Sequence, residues 1–542
     1  MQPKTTEEYI ATYDKIPYSV ISQDLPDYLK NDFYRELGEI LRYYHIYQNG
    51  ADFEIEGTNG DYIGSNVKYK KCRSLIDKEA RFLFAHTPDF YINKNTSQSD
   101  IEKEESTILN DFLMNVLDKN GISDKLLKAA KDCFIGKRVG CILNFSPDTG
   151  INITFLKSYE FIYEKNAAEE LTKFIAFYTV LDSSNKKEKR IKKKSYEMKN
   201  DVCYVHEILY DGLGNVVEET VPESATSFPY IPAVVILNDG LSNDGKGESD
   251  VEQLEDMESI FSKMSNADID AGRKNMNAVR YTIDASEEST SNLSSAPGAF
   301  WDIKSNALSP DPKTAQVGML EASMSYSNPL KTTLDRIDNQ MHAQLDVPNV
   351  NSEQLQGVIT SGKTLKAIYW GLIVRCDEKM LAWEPALRYI IKAILDGAGF
   401  YPESASFYTE ETLPDIEYNI EVENNYPLLE DDAEEKNLDL SEVASQTMSR
   451  KAYMKKWRGL TDEEVEEELD QILKEKQLFE DSMIPDEYTE EDMEGLDEEE
   501  NLLGAEGEED LLGSEEEEIT DESGDAMDQA LSMLQNLLKE IQ

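Results

Sequence analysis

The chain has 542 residues and a mass of 61.6 kDa, with 108 acidic against 54 basic side chains and a formal net charge of -54. Its 40% apolar and 9% aromatic content supplies a sizeable core and excludes wholesale disorder, and its length corresponds to roughly three to four domain-sized units. The acidic balance also excludes a duplex-gripping protein, whose affinity comes from a basic footprint that displaces counterions along the phosphates.

The longest apolar runs, Phe174 to Tyr178 and Ala233 to Leu237, fall far short of the ~20 residues a membrane helix needs. Met1 to Tyr9 is polar and carries two glutamates, unlike a secretory signal, so synthesis in the cytoplasm is expected. Cys72, Cys133, Cys141, Cys203 and Cys376 are odd in number and never spaced as Cys-x-x-Cys, which reads as reduced thiols in a reducing compartment.

A helix is expected from Leu25 to Tyr44, then a polar turn and an amphipathic stretch from Tyr62 to Ala80 that runs into Phe82 to Ile92. Two helices follow, with Ser106 and Ser123 as caps and Gly121 closing the first. Val139 to Phe145 and Ile151 to Leu156 alternate around Ser146-Pro-Asp-Thr-Gly150, a hairpin signature. Further strands are expected from Glu160 to Leu181 and from Val202 to Tyr210. Between them Lys186 to Lys199 holds eight basic and two acidic residues. This positive island reads as a solvated hairpin tip, with contact to phosphates or an acidic partner as the alternative.

Three long helical patterns occupy the middle. Ser249 and Glu252 form a capping box for the first, and Val251, Leu254, Met257, Ile260, Phe261 and Met264 line one face. Pro329 opens the second, which carries Leu330, Leu334, Ile337, Met341 and Leu345 and stops at Pro348. The third runs from Lys363 to about Asp396, ~50 Å at the helical rise, with a kink expected at Pro385. Tyr418 to Val422 then reads as a strand, and Thr461 with Glu464 caps a helix carrying Val465, Leu469, Ile472 and Leu473.

Charge concentrates at the end. Residues 461 to 542 hold 33 acids and 3 bases, net -30, which leaves 75 acids and 51 bases, net -24, for the first 460. Between Asp481 and Asp528 there are 23 acids and no base, so this stretch reads as a self-repelling solvated linker. Beyond it Met527, Leu531, Leu534, Leu538 and Ile541 put one apolar stripe on a short helix. That helix either docks on a partner or sister subunit or folds back on its own subunit.

Gly357-Val-Ile-Thr-Ser-Gly362-Lys363-Thr364 matches the pattern of a nucleotide-binding loop. Its context argues against that function, because a phosphate cradle follows a buried strand and Val347 to Gln356 is polar. His45, His86, His206 and His342 lack ligand spacing. No catalytic, cofactor-binding or metal-ligating residue is assigned, and the chain reads as a non-enzyme.

The order of elements carries a resemblance. Phe228-Pro-Tyr-Ile-Pro-Ala-Val-Val-Ile-Leu-Asn-Asp239, a Gly-rich loop, and Glu248-Ser-Asp250 opening a helix resemble the portal proteins of tailed phages of the siphophage and myophage type from Gram-positive hosts. Asn66 to Ala85, centred on Arg73-Ser-Leu-Ile-Asp77, is similar to that family's N-terminal segment. Ser361-Gly362-Lys-Thr-Leu365-Lys366 is similar to the start of its long kinked helix, which makes the nucleotide-loop match a coincidence. The likeness spans roughly Ser19 to Glu475; the acidic linker and terminal helix fall outside it.

The resemblance implies an α+β portal fold that forms a dodecameric ring around a channel for double-stranded DNA. It divides the chain into a mixed α/β wing (1–248), a first stem helix (249–272), a small clip (273–325), a second stem helix (326–348) and a tunnel loop (349–361). A long kinked helix with the wing return strand (362–429) and a mostly helical crown (430–480) follow, then the acidic linker (481–526) and terminal helix (527–542). Stem packing falls to Leu254, Met257, Phe261, Leu334, Ile337 and Met341; the tunnel loop presents Val350, Asn351, Ser352, Glu353, Gln354 and Gln356 to DNA. The implied partners are terminase large subunit, major capsid protein, scaffolding protein and head–tail adaptor protein. No cofactor and no membrane are implied, and the location is the virion after assembly in the host cytoplasm. An acidic wall suits a conduit, because it repels phosphates and lets DNA slide. The alternatives are a P-loop NTPase of the packaging motor and an acidic assembly chaperone or scaffold.

Overall fold

The computed structural model describes residues 6–474 apart from 14–15, 56–62, 94–99, 182–188, 242–244, 277–278, 291–300, 307–313, 321–323, 351–361, 411, 415, 428–431, 460–463 and 467. The chain divides into two units, Met1–Asp431 and Asp432–Gln542.

In the first unit, apolar stripes at helical spacing bring Lys30–Asn49, Lys71–Leu83, Asp100–Asn120 and Ile122–Gly136 around one core with the long helix Trp370–Phe400. Leu41, Ile76, Leu113, Phe134, Trp383 and Ile391 lie at its centre, none more than 1% exposed. Gly121 joins two of these helices in the left-handed region, φ 59, where a side chain would be strained. The expected caps differ: Ser106 lies inside the first helix, and Ser123 lies inside the second, whose N-cap is Gly121. No described helix is long and apolar enough to cross a membrane.

The Ser146 to Gly150 turn closes the hairpin Arg138–Ser146 with Gly150–Lys157, as its turn residues require, and Ala233–Leu237 adds to the other edge. Asn120 locks this sheet to its helix, donating to the Ile151 carbonyl at 2.8 Å and accepting from the Ile153 amide at 3.0 Å. Far apart in sequence, Asp89–Ile92 pairs antiparallel with Ile420–Glu423, placing Phe90 opposite Val422.

A second sheet is a five-stranded meander: Phe161–Lys165, Leu171–Leu181, Lys189–Lys199, Val202–Tyr210 and Val216–Ala225. Here the sequence expectation is overturned. Most of the basic run is the central strand and not a solvated tip. Both faces of the strand meet core, with Tyr196 beside Phe161 and Phe174 on one side and Ile191 beside Ile175 and Phe177 on the other. The lysine stems pack across these faces while their ammonium groups find carboxylates. Lys192 lies 2.6 Å and Lys194 3.2 Å from Glu207, and Lys193 lies 2.6 Å from Asp24.

The third long pattern is two helices, Gly362–Ile368 and Trp370–Phe400, with Tyr369 (φ -91, ψ 4) between them and Pro385 inside the second. All five cysteines are buried free thiols.

The second unit contains Asp432–Ala444 and Arg450–Arg458, with further helix within 464–474. Ser449 caps Arg450–Arg458 by accepting from the Ala452 amide at 3.1 Å. Lys456 and the Trp457 indole N–H both reach Asp439, at 2.7 and 2.8 Å. The expected linker and terminal helix, with Met527, Leu531, Leu534, Leu538 and Ile541, lie outside the described residues.

Candidate functional site

The strongest candidate is the pair of helices Asp250–Met276 and Ser327–Gln344, which pack against each other. Val279–Ile283 and Gln316–Leu320 pair antiparallel in the segment that joins them. Ser249 precedes the first helix and accepts from the Val251 amide at 3.2 Å, while its own hydroxyl donates to the Ile135 carbonyl at 2.7 Å.

The predicted stem residues divide. Leu254 and Met341 are fully buried, and Met257 and Ile337 pack against the core. Phe261 meets the Tyr69 ring edge-on at 5.4 Å, with the Lys71 ammonium 5.0 Å from its centroid. Leu334 is half-buried, and Ile260, expected on the buried face, is 50% exposed.

What replaces the apolar stripe is a polar ladder. Glu258, Ser262, Asn266 and Asp270 recur every four residues on the buried face and hold the backbone of the extended segment 63–70 and its flanks. Glu258 accepts from the Ala51 amide at 3.0 Å and the Cys72 amide at 2.7 Å. Ser262 accepts from the Tyr69 amide at 3.4 Å, and Asn266 both accepts from and donates to Val67 at 2.7 Å. Asp270 accepts from the Ser65 amide at 3.0 Å. Four helical residues advance ~6 Å and two extended residues ~6.6 Å, so helix side chains can act as a strand's hydrogen-bonding edge. Burial pushes the Glu258 carboxyl up, against the pull of the Cys72 and Ala51 amides.

At the other end of the same helix lies a buried charge cluster. Arg375 reaches Glu79 at 2.8 Å and Asp250 at 2.9 Å; Lys379 reaches Asp250 at 2.7 Å, Glu79 at 3.0 Å and the Asn238 side-chain amide oxygen at 2.9 Å. The Lys379 ammonium also sits 3.7 Å from the centroid of the Phe134 ring. Two cations balance two carboxylates, with Asp239 at 3.8 Å from Arg375 on the rim. Burial pushes the Glu79 carboxyl up. It works against Lys379 as a cation too, but Asp250 and Glu79 outweigh it and keep the ammonium charged. Gly247 lets the loop close beneath this cluster: at φ 71, an added Cβ would lie 2.3 Å from the Lys137 carbonyl oxygen.

Sequence reasoning missed both features, although a signal was present. Glu79 falls on the buried stripe Cys72, Leu75, Ile76, Leu83, and Lys379 on the stripe Leu372, Cys376, Trp383, Leu387. A charge on an apolar stripe requires a buried partner.

Of the predicted tunnel-loop residues only Val350 is described, half-buried in a segment without strand; Asn351, Ser352, Glu353, Gln354 and Gln356 lie outside the described residues. Residues 347–350 carry no strand and Gly362–Ile368 is a helix, while residues 351–361, where the nucleotide-loop pattern begins, lie outside the described residues. Among the described residues no cluster of His, Cys, Asp or Glu is arranged to hold a metal ion.

The segments whose order carried the resemblance meet at the charge cluster: helix Lys71–Leu83, Asn238, Asp250 and the long helix. Its charges answer one another, which defines a structural joint between helices Lys71–Leu83 and Trp370–Phe400 and the start of Asp250–Met276. A family model described as "Phage portal protein, SPP1 Gp6-like" matches residues 27–478, and the chain belongs to that family of structural proteins. No curated protein matches. Among solved structures, a chain of "Virion of native gene transfer agent (GTA) particle" is similar at 11% identity and TM-score 0.38, covering 72% of this chain and 90% of that one. A chain of "Neck of native GTA particle computed with C12 symmetry" is similar at 10% identity and TM-score 0.35, covering 71% and 88%. These superpositions are loose, and membership rests on the family model.

Proposed function

We propose that the chain assembles into a dodecameric portal ring at one capsid vertex, forming the channel through which double-stranded DNA is packaged and ejected. In this reading 1–248 with 362–429 is the wing, 249–272 and 326–348 the stem, 273–325 the clip, 349–361 the tunnel loop and 430–480 the crown. Residues 481–526 tether the terminal helix 527–542. The clip docks the terminase large subunit during filling and the head–tail adaptor afterwards. Major capsid and scaffolding proteins meet the ring during assembly in the host cytoplasm, and the mature ring resides in the virion.

The observation that carries this reading is the packed pair Asp250–Met276 and Ser327–Gln344, with a strand pair in the segment that joins them and a buried joint to the long helix. The net charge of -54 per chain supports it, because an acidic wall does not hold phosphates. The test is particle assembly with and without the chain, scored by nuclease-resistant DNA. Heads lacking the chain should contain no packaged genome, and deletion of 349–361 should lower packaged or retained DNA while rings still form. Heads that fill without the chain would refute the reading.

A further inference from the structure

A groove of about 490 Å³ lies between helix Lys30–Asn49, strand Phe161–Lys165 and the backbone at Gly245 and Lys246. Leu25, Leu29, Phe33 and Ile162 give it an apolar wall, and Leu29 remains 40% exposed. Its volume is that of a site for a small organic molecule.

The charges around it run against the rest of the chain. Arg138, Lys165 and Lys246 line it together with Asp32 and Glu36, three cations to two carboxylates in a protein of net charge -54. Both carboxylates are already matched. Asp32 has Arg35, which is not part of the lining, at 3.7 Å, and Glu36 has Arg138 at 2.6 Å and Lys246 at 3.5 Å. Burial pushes the Glu36 carboxyl up, but Arg138 and Lys246 outweigh it and keep the group ionised. The surplus is one positive charge, which suits a monoanion.

Arg138 is incompletely used. Its side chain is only 6% exposed, yet both of its hydrogen bonds, to Glu36 at 2.6 Å and to the Lys246 carbonyl at 3.2 Å, leave from Nη1. The buried Nε has no partner among the described residues. With the Tyr163 ring centroid 5.7 Å from the guanidinium, the edge formed by Nε and Nη2 is the one left to bond side-on. Two parallel N–H donors in one plane match the two oxygens of a carboxylate, and a buried N–H without an acceptor is costly to the fold.

We infer that this groove binds a monocarboxylate bearing an apolar group, with the carboxylate on the Nε–Nη2 edge of Arg138 and the apolar part against Leu25, Leu29 and Phe33. Lys165 supplies the surplus charge. A phosphate dianion would exceed that surplus, and a neutral ligand would forgo the charge-assisted pair. The same chemistry is offered by the C-terminal end of a peptide with an apolar last side chain and by a free apolar acid. The inference does not depend on the ring reading above.

The test is isothermal titration of the full chain with acetyl-Leu-Phe and with phenylpropionate, each as the free acid and as the amide. At least one acid should bind saturably, with its amide about tenfold weaker, the loss expected for a charge-assisted pair. Tighter binding of the dipeptide acid assigns a chain terminus; tighter binding of phenylpropionate assigns a free acid. Lys165→Glu reverses the surplus and should weaken the acid several-fold without moving the thermal midpoint. Arg138→Lys keeps the charge but removes the fork, so the acid should lose more affinity than the amide; if that variant does not fold, Lys165→Glu carries the test. Acids and amides that bind alike, no saturable binding of either acid, or unchanged acid affinity in Lys165→Glu would overturn the assignment.

Discussion

Lys379 on the long helix holds its ammonium 2.7 Å from the Asp250 carboxylate at the start of helix Asp250–Met276, and neither residue is more than 4% exposed. An ion pair so deeply buried fixes geometry more than it adds stability, because desolvation consumes most of the Coulomb gain. Removing one partner is another matter. Lys379→Met leaves Glu79 and Asp250 sharing one guanidinium and should cost about 3–5 kcal/mol in urea denaturation. Adding Glu79→Gln should recover part of that. A single-variant loss under about 1 kcal/mol, the scale of an exposed pair, would mean that the cluster is open to water.

The polar ladder predicts a local effect. Asn266→Ala strips partners from both the N–H and the C=O of Val67, at about 1–3 kcal/mol for each buried group left unsatisfied. Amide hydrogen exchange should accelerate at Ser65 to Tyr69 well before it does in Lys30–Asn49. Equal acceleration in both would show that this segment opens only with the whole body.

Asp132 predicts a pH dependence. Burial pushes its carboxyl from 3.8 up to about 6, against the pull of Lys157 and the Tyr44 hydroxyl, which donates to it at 3.0 Å. A raised carboxyl contributes stability below pH 3.8 that is lost as the pH rises through about 6. Asp132→Asn, which keeps an acceptor for Tyr44, should therefore be more stable than the parent at pH 7 by at most about 3 kcal/mol, and equal to it below about pH 4. A difference that does not change with pH would contradict the assignment.

The lysines of the central strand serve the fold. Lys192→Gln with Lys194→Gln leaves Glu207 without either cation and should lower the thermal midpoint, with no change in the affinity or salt dependence of DNA binding. A shallower salt slope would instead restore the phosphate-contact reading.

These lysines also mark where sequence reasoning stops. Eight bases in fourteen positions look solvated, since nothing local reveals that Asp24 and Glu207 lie opposite. Pairing of Asp89–Ile92 with Ile420–Glu423 was hidden for the same reason: the contact is non-local and the strands are short. The long helices were legible because their signals are local. Ser249 and Pro329 mark starts, and Leu334, Ile337 and Met341 keep helical spacing. The same spacing misled at Ile260, where partners on segment 63–70 turned the polar side of the helix inward. Family resemblance was readable from the order of weak motifs, yet the reason for that order, convergence on one charge cluster, appears only in three dimensions.

The central claim is that the subunit closes into a ring. Negative-stain microscopy of the purified full chain at native salt, with light scattering on the same sample, tests it most directly. Closed rings with a central hole, and a mass many times 61.6 kDa, are the predicted result. A monodisperse monomer under those conditions would contradict it.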